Sequence, residues 1–185
     1  MTKYFITFLV LIVAGLGAYF IFHLGYYPIA IVNGKVIMAS SFKNMYASAY
    51  QYYAKAVGNL EQINNDDFKK ELKRQVLNQL IERSLISSAL KNLVGQNLEN
   101  LVKEKISLPA LDEPDFQESI ALLYGLSIAD FKTMILEPQA QKEILEKELV
   151  NTKTNFSNWL TEVRKTAKVT LLMAGFNWQD GELRD

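Results

Sequence analysis

The chain has 185 residues, and its 20 Lys and Arg balance 20 Asp and Glu, so the formal net charge is zero. That balance argues against a nucleic-acid partner held by bulk electrostatic attraction. There is no Cys and one His, His23, which excludes disulfides and thiolate chemistry everywhere and imidazole bases or ligands beyond the apolar N-terminus.

Between Tyr4 and Gly34 no residue is charged. The run 4–24 is long enough to cross a bilayer as a helix, which takes about 20 residues. Lys3 and the α-amine lie on one side of it, and Tyr19, Tyr26 and Tyr27 suit the opposite interface. The positive-inside rule then puts the N-terminus in the cytoplasm and the rest outside. A cleaved signal peptide is the other reading, with Gly15-Leu16-Gly17 as the small-residue site. Cleavage there would leave Tyr19-Phe-Ile-Phe22 exposed. The expectation is therefore a membrane, single-pass protein: cytoplasmic tip and transmembrane anchor over 1–27, and one extracytoplasmic domain over 28–185.

The next signal is a β-hairpin. Two β-branched runs, within residues 29–37, flank Asn33-Gly34, a pair that accepts the positive φ angles of a tight turn. A lone hairpin is marginal, so it needs a third strand. The candidate is 168–173, and pairing there would stitch the two ends of the domain together beside the membrane. Ser40 or Ser41 can cap a helix that runs to Val57 and is closed by Gly58. Its stripe holds Phe42, Met45, Tyr46, Ala49, Tyr50, Tyr53 and Val57. Such a stripe either packs the core or presents aromatic area to apolar segments of another chain.

Asn64-Asn-Asp-Asp67 opens the longest helix, with its carboxylates at the positive end of the helix dipole. Residues 72–93 contain no Pro or Gly and end near Gly95. Leu72, Val76, Leu77, Leu80 and Ile81 share one side, whereas Leu85, Ile86, Ala89, Leu90 and Leu93 lie mostly on the other. The stripe changes sides near Glu82–Ser84, so this helix needs packing partners on both sides. A short amphipathic helix over 96–106 follows, carrying Leu98, Leu101, Val102 and Ile106. Residues 107–114 form a loop with two prolines, the expected hinge. A helix starting at Asp112 or Glu113, with Pro114 near its first position, carries Phe116, Ile120, Leu123 and Tyr124 and stops at Gly125. Ser127-Ile-Ala-Asp130 then caps a short helix with Ile128, Phe131 and Ile135. The last helix is expected to run unbroken from 138 to 166, through the weak patch 151–155. Its seam is Leu145, Leu149, Thr152, Phe156, Trp159 and Val163.

No phosphate-binding Gly loop, Gly-x-Ser-x-Gly elbow or His-Glu-x-x-His motif occurs. The acidic residues fall at helix starts or on Lys-rich faces, where pairing along a helix explains them. The expectation is no enzyme, no catalytic residue, no metal and no cofactor.

Ile31-Val-Asn-Gly-Lys-Val-Ile37, Ser41-Phe42 and the Leu-x-x-Gln-Val-Leu-x-Gln-Leu-Ile-Glu-x-x-Leu-Ile stretch at 72–86 resemble the N-terminal region of SurA, PpiD and PrsA-like chaperones. Tyr124-Gly-Leu-Ser-Ile-Ala-Asp-Phe131 is similar to a later segment of that family, and 159–173 to its closing helix and strand. The resemblance implies a mainly α fold: an N-terminal transmembrane helix, then a SurA-N-like helical chaperone domain with a small sheet joining the N- and C-terminal segments. It also implies an ATP-independent holdase that cradles unfolded or extended client polypeptides. Many members add a parvulin-type prolyl isomerase domain; this sequence has no room for one between Val150 and Trp159, and its histidines have no counterpart here. The side chains expected to contact clients are Tyr46, Tyr50, Tyr53, Phe116, Tyr124 and Phe131. The alternative is an envelope assembly subunit of the same fold with one dedicated protein partner. Under either reading, the first half of the long helix is expected to pack on helix 41–57 and the closing helix 145–163. Its second half is expected to pack on the helices within 96–135, with the groove between two lobes.

Overall fold

The computed structural model describes Tyr19, Ile21, residues 23–58 and residues 60–184. Most of the expected anchor lies outside the described residues. Among the described residues no single helix is long and apolar enough to cross a membrane.

Strands β1 (Pro28–Val32) and β2 (Lys35–Met38) pair antiparallel. Asn33 and Gly34 take φ of 48° and 83°, two successive left-handed residues as a tight hairpin turn demands. Strand β3 (Val169–Leu171) pairs antiparallel with the other edge of β1, so the sheet order is β2-β1-β3. The sheet thus joins the N- and C-terminal segments of the domain as the sequence predicts. Asn33 fastens this junction: its backbone N–H donates to the Lys168 carbonyl and its Oδ1 accepts from the Lys168 N–H, both at 2.9 Å.

Helix α1 (Ala39–Val57) starts without a side-chain cap, so neither Ser40 nor Ser41 has the capping role expected of it. The first N–H groups of a helix still need acceptors. Here the chain just before β1 provides them: Ala39 N–H donates to the Tyr27 carbonyl and Ser40 N–H to the Gly25 carbonyl, each at 2.9 Å. Gly25 has φ of 74°, and a Cβ on it would stand 2.7 Å from the Ser40 backbone nitrogen. Gly25→Ala is therefore expected to cost about 1–3 kcal/mol, read as a lowered thermal midpoint. Gly58, at φ 67°, ends α1 as predicted.

After the short helix α2 (Leu60–Asn64) comes the 29-residue helix α3 (Asp66–Val94). Asn65 caps it, its side chain accepting from Asp67 N–H at 2.8 Å. Leu72, Val76, Leu77, Leu80, Ile81 and Leu85 bury themselves with Ala30, Val32 and Ile37 of the sheet and Met45 of α1. Ile86 and Leu90 instead join Leu98, Val102, Ala140, Ile144, Leu145 and Leu149. The switch of apolar side therefore separates two cores, and it falls between Leu85 and Ile86.

The remaining helices are α4 (Leu98–Ile106), α5 (Pro114–Tyr124), α6 (Ile128–Phe131), α7 (Glu137–Asn151) and α8 (Phe156–Thr166). A wide π turn, Lys132–Leu136, links α6 to α7. The proline loop winds into a 3-10 turn, Pro109–Asp112, with Leu111 buried. Two expectations need correction. The closing helix is broken: Lys153 has φ of 56°, and the Asn155 side chain starts α8 by accepting from Ser157 and Asn158 N–H at 2.8 and 3.4 Å. Asn and Thr side chains compete with helical backbone bonds, and the patch at 151–155 concentrates them. The packing partners also differ. Helix α7 lies on the second half of α3, not the first, while Ile120, Leu126 and Phe131 form a third cluster. The α5 end of that cluster docks on α1, leaving α4 and α7 to cover the second half of α3.

A second hairpin, unforeseen in the sequence reading, closes the chain. Strands β4 (Asn177–Gln179) and β5 (Glu182–Arg184) pair around Asp180 and Gly181, at φ 54° and 83°. Leu183 inserts into the first core.

Candidate functional site

Six rings run in unbroken contact from the start of α3 across the α1–α5–α6 junction. Tyr53 meets Phe68 edge-on at 5.4 Å and Tyr52 at 6.0 Å. Tyr52 stacks on Tyr124 at 5.1 Å, Tyr124 touches Phe131 at 5.6 Å, and Phe131 meets Phe116 at 6.4 Å. Offset and edge-on pairs of this kind add about 0.5–1.5 kcal/mol each beyond area burial. Four of the six predicted contact residues, Tyr53, Phe116, Tyr124 and Phe131, fall in this run. Tyr46 and Tyr50 stack on each other at 6.2 Å on the face of α1 turned to the first core. The Tyr50 hydroxyl donates to Asn64 Oδ1 at 2.8 Å. Burial pushes the Tyr46 phenol above its usual range, with neighbouring Tyr50 adding to the effect.

The predicted residues differ in what they offer to a ligand. Phe131 is only 7% exposed and touches the rings of Tyr124 and Phe116. Tyr46, Tyr50, Tyr53, Phe116 and Tyr124 are half-buried. Two exposed side chains beside them were not foreseen: Tyr52 and, on α5, Leu122. Tyr52 lies off the apolar stripe of α1, so periodicity hid it. Gln51 was also missed. Its Nε2 donates to the Ala121 and Leu122 carbonyls at 3.3 and 3.0 Å; these are last-turn acceptors of α5, and the Ala121 carbonyl also accepts from Gly125 N–H at 3.0 Å.

Two adjoining depressions lie in the second lobe. One of about 580 Å³ follows the junction of α3 and α4, with Leu98 and Val102 in its floor. Another of about 540 Å³ follows the proline loop, with Leu108 and Leu111. Lys103 and Ile106 line both, so they meet in one open trough. Its rim carries both charge signs, including Lys91, Lys103, Glu99 and Glu137. Across α4 and α7, Lys105 Nζ lies 2.8 Å from Glu143. Its hydrogen bond and a second from Gln139 hold the Glu143 carboxyl below the usual range.

Arg83 stands where the lobes meet. Burial lowers its guanidinium to about 10, so the fold holds this charge at a cost. It donates to the Met134 carbonyl inside the π turn, while its Nε has no hydrogen-bond partner. This fixes the π turn against α3. Among the described residues no group of three or more His, Cys, Asp or Glu is placed to hold a metal ion. The site is an arrangement of apolar area, mixed charge and backbone polarity.

The family model for the SurA-like N-terminal domain matches residues 1–121, which takes in β1, β2, the whole of α3 and most of α5. No match was found among curated proteins. None was found among solved structures. The SurA-like N-terminal domain is a chaperone-type module rather than a catalytic one. The chain belongs to the family of the SurA-like N-terminal domain.

Proposed function

We propose that this protein is a membrane-anchored, extracytoplasmic, ATP-independent holdase for unfolded or extended polypeptides. The observation that carries the reading is the open trough where Lys103 and Ile106 join two depressions. Its aliphatic floor and mixed-charge rim suit segments of varied sequence, because neither demands one side chain at one place. The half-buried rings of Tyr46, Tyr50 and Tyr53 on α1, with Phe116 and Tyr124 of α5 backed by Phe131, would offer further area where α1 meets the third cluster. Family membership supports a chaperone-type role. The uncharged run from Tyr4 to Leu24 supports the anchor, with its N-terminus in the cytoplasm. Prolyl isomerase activity forms no part of the proposal: the single His lies in the apolar N-terminal region, and the chain between α7 and α8 is a four-residue turn, 152–155.

Photo-cross-linking in cells tests the reading. A cross-linking amino acid at Leu108, which is 48% exposed, is expected to capture many different polypeptides, each in small amount. One dominant adduct would contradict a general holdase and favour an assembly subunit with a dedicated partner.

A further inference from the structure

A groove of about 550 Å³ lies at the other end of the molecule, lined by Phe42, Lys69, Lys70, Lys73, Met173 and Phe176, with Asp66 as its single acidic residue. Both of its walls begin at the point where the chain leaves the apolar N-terminal segment. On one side, Phe42 lies two residues past Ser40, whose N–H is bonded to the Gly25 carbonyl. On the other, Met173 follows Leu172, whose N–H donates to the Ile29 carbonyl at 2.8 Å. Lys43 Nζ, 5.7 Å from the centre of the Tyr27 ring, adds a further cation at the same level. No flexible linker separates these groups from residues 23–29; backbone hydrogen bonds fix them to it.

We propose that this groove takes the anionic headgroup of a membrane lipid, in the leaflet from which the domain emerges. The inference rests on the reading of residues 4–24 as a membrane anchor. An anchored segment ending at Gly25 would place the groove at headgroup height. Lys69 and Lys73 are one helical turn apart on α3, and Lys70 stands one turn before Lys73, so three ammonium groups share one strip of the helix. They outnumber Asp66, whose carboxylate is 4.0 Å from Lys69. Phe42, Met173 and Phe176 supply apolar area beside them for the glycerol and upper acyl region. A juxtamembrane cluster of lysines next to apolar side chains is the arrangement that attracts acidic lipid. The consequence is a fixed tilt of the domain: the headgroup contact would hold α3 at a set angle to the bilayer and keep the client trough, at the far end of α3, facing away from it.

The test uses the full chain in nanodiscs of phosphatidylcholine and in nanodiscs of an equimolar phosphatidylcholine–phosphatidylglycerol mixture, with native mass spectrometry of the released protein. The wild type is expected to retain phosphatidylglycerol in preference to phosphatidylcholine. Each of Lys69→Gln, Lys70→Gln and Lys73→Gln is expected to weaken that preference about fivefold at low salt, and the control Lys147→Gln, on α7, to leave it unchanged. A wild type with no lipid preference, or a triple variant that keeps it, overturns the headgroup site. A triple variant that keeps its lipid but loses client binding would assign the groove to acidic client segments and overturn the proposal as well. Failure of the chain to enter either nanodisc is a separate result, and it overturns the anchor.

Discussion

Leu145→Ala is expected to cost about 3 kcal/mol, measured by denaturant unfolding, and to do so mainly in one lobe. Leu145 is fully buried in the second core, among Ile86, Leu90, Ile144 and Leu149. Truncating a buried Leu removes its transfer free energy and leaves a cavity, which together cost about 2–5 kcal/mol. The surrounding residues come from α3, α4 and α7, three separate rods that cannot all close on the gap. Because α3 turns a different side to each core, the loss should stay local. Amide exchange is expected to rise across α4 and α7 while β1, β2 and β3 keep their protection. Leu77→Ala should give the converse pattern, since Leu77 is fully buried in the first core. Equal loss of protection in both lobes from either variant would mean that α3 is the spine of a single core, and the two-lobed account would be wrong.

Arg164→Ala is expected to cost about 2–3 kcal/mol and to release the C-terminal hairpin. The guanidinium of Arg164 donates from Nη1 to Glu82 at 2.6 Å, from Nη2 to Asn78 at 3.0 Å and from Nε to the Gly181 carbonyl at 2.8 Å. It also lies 5.1 Å from the centre of the Trp178 ring. One side chain therefore ties α8, α3 and the β4–β5 turn together. Hydrogen bonds to a charged group are worth about 1.5–3 kcal/mol each where buried. The total here is discounted because the Glu82 side chain is 34% exposed and solvent screens the pair. Arg164→Lys should recover little of the loss, since an ammonium cannot present the flat fork that reaches three acceptors at once. Trp178 fluorescence reports the release when Trp159 is replaced by Phe in both proteins: a red shift in Arg164→Ala with far-ultraviolet dichroism unchanged is the expected pattern.

The features that were legible in the sequence are those encoded by neighbours. Asn33-Gly34 between β-branched runs gave the first hairpin, and the spacing of Leu72, Val76 and Ile81 against Ile86 and Leu90 gave a helix with two apolar faces. Gly58, Gly95 and Gly125 marked helix ends that the structure places at the same residues. The partners of those faces were harder to read, because nothing local distinguishes a helix that packs on Leu77 from one that packs on Leu90. Helix α7 was placed on the wrong half of α3 for that reason. The break at 152–155 was visible as weak helix formers but was outweighed by the regular seam on either side. The second hairpin carried a clear Asp180-Gly181 signal; its strands are only three residues long, too short for an alternating pattern to stand out.

The candidate site shows the same division. Tyr53, Phe116, Tyr124 and Phe131 belong to apolar stripes, and the structure joins them through ring contacts. Tyr52 and Gln51 join α1 to α5 and lie outside any stripe. Arg83 and Arg164 act on partners 51 and 82 residues away, a kind of pairing that no local pattern encodes. The trough was missed because Leu108, Leu111 and Ile106 read as an ordinary loop beside a short helix.

The central claim, that the trough and the aromatic rings hold unfolded chains, is tested most directly by aggregation suppression. The full chain, reconstituted in nanodiscs, is mixed with a chemically denatured client as it is diluted out of denaturant, and light scattering is followed. The account predicts suppression at near-stoichiometric amounts without ATP, weakened in the charge-neutral pair of surface changes Leu108→Ser and Leu122→Ser. Unsuppressed scattering across several unrelated clients would contradict it.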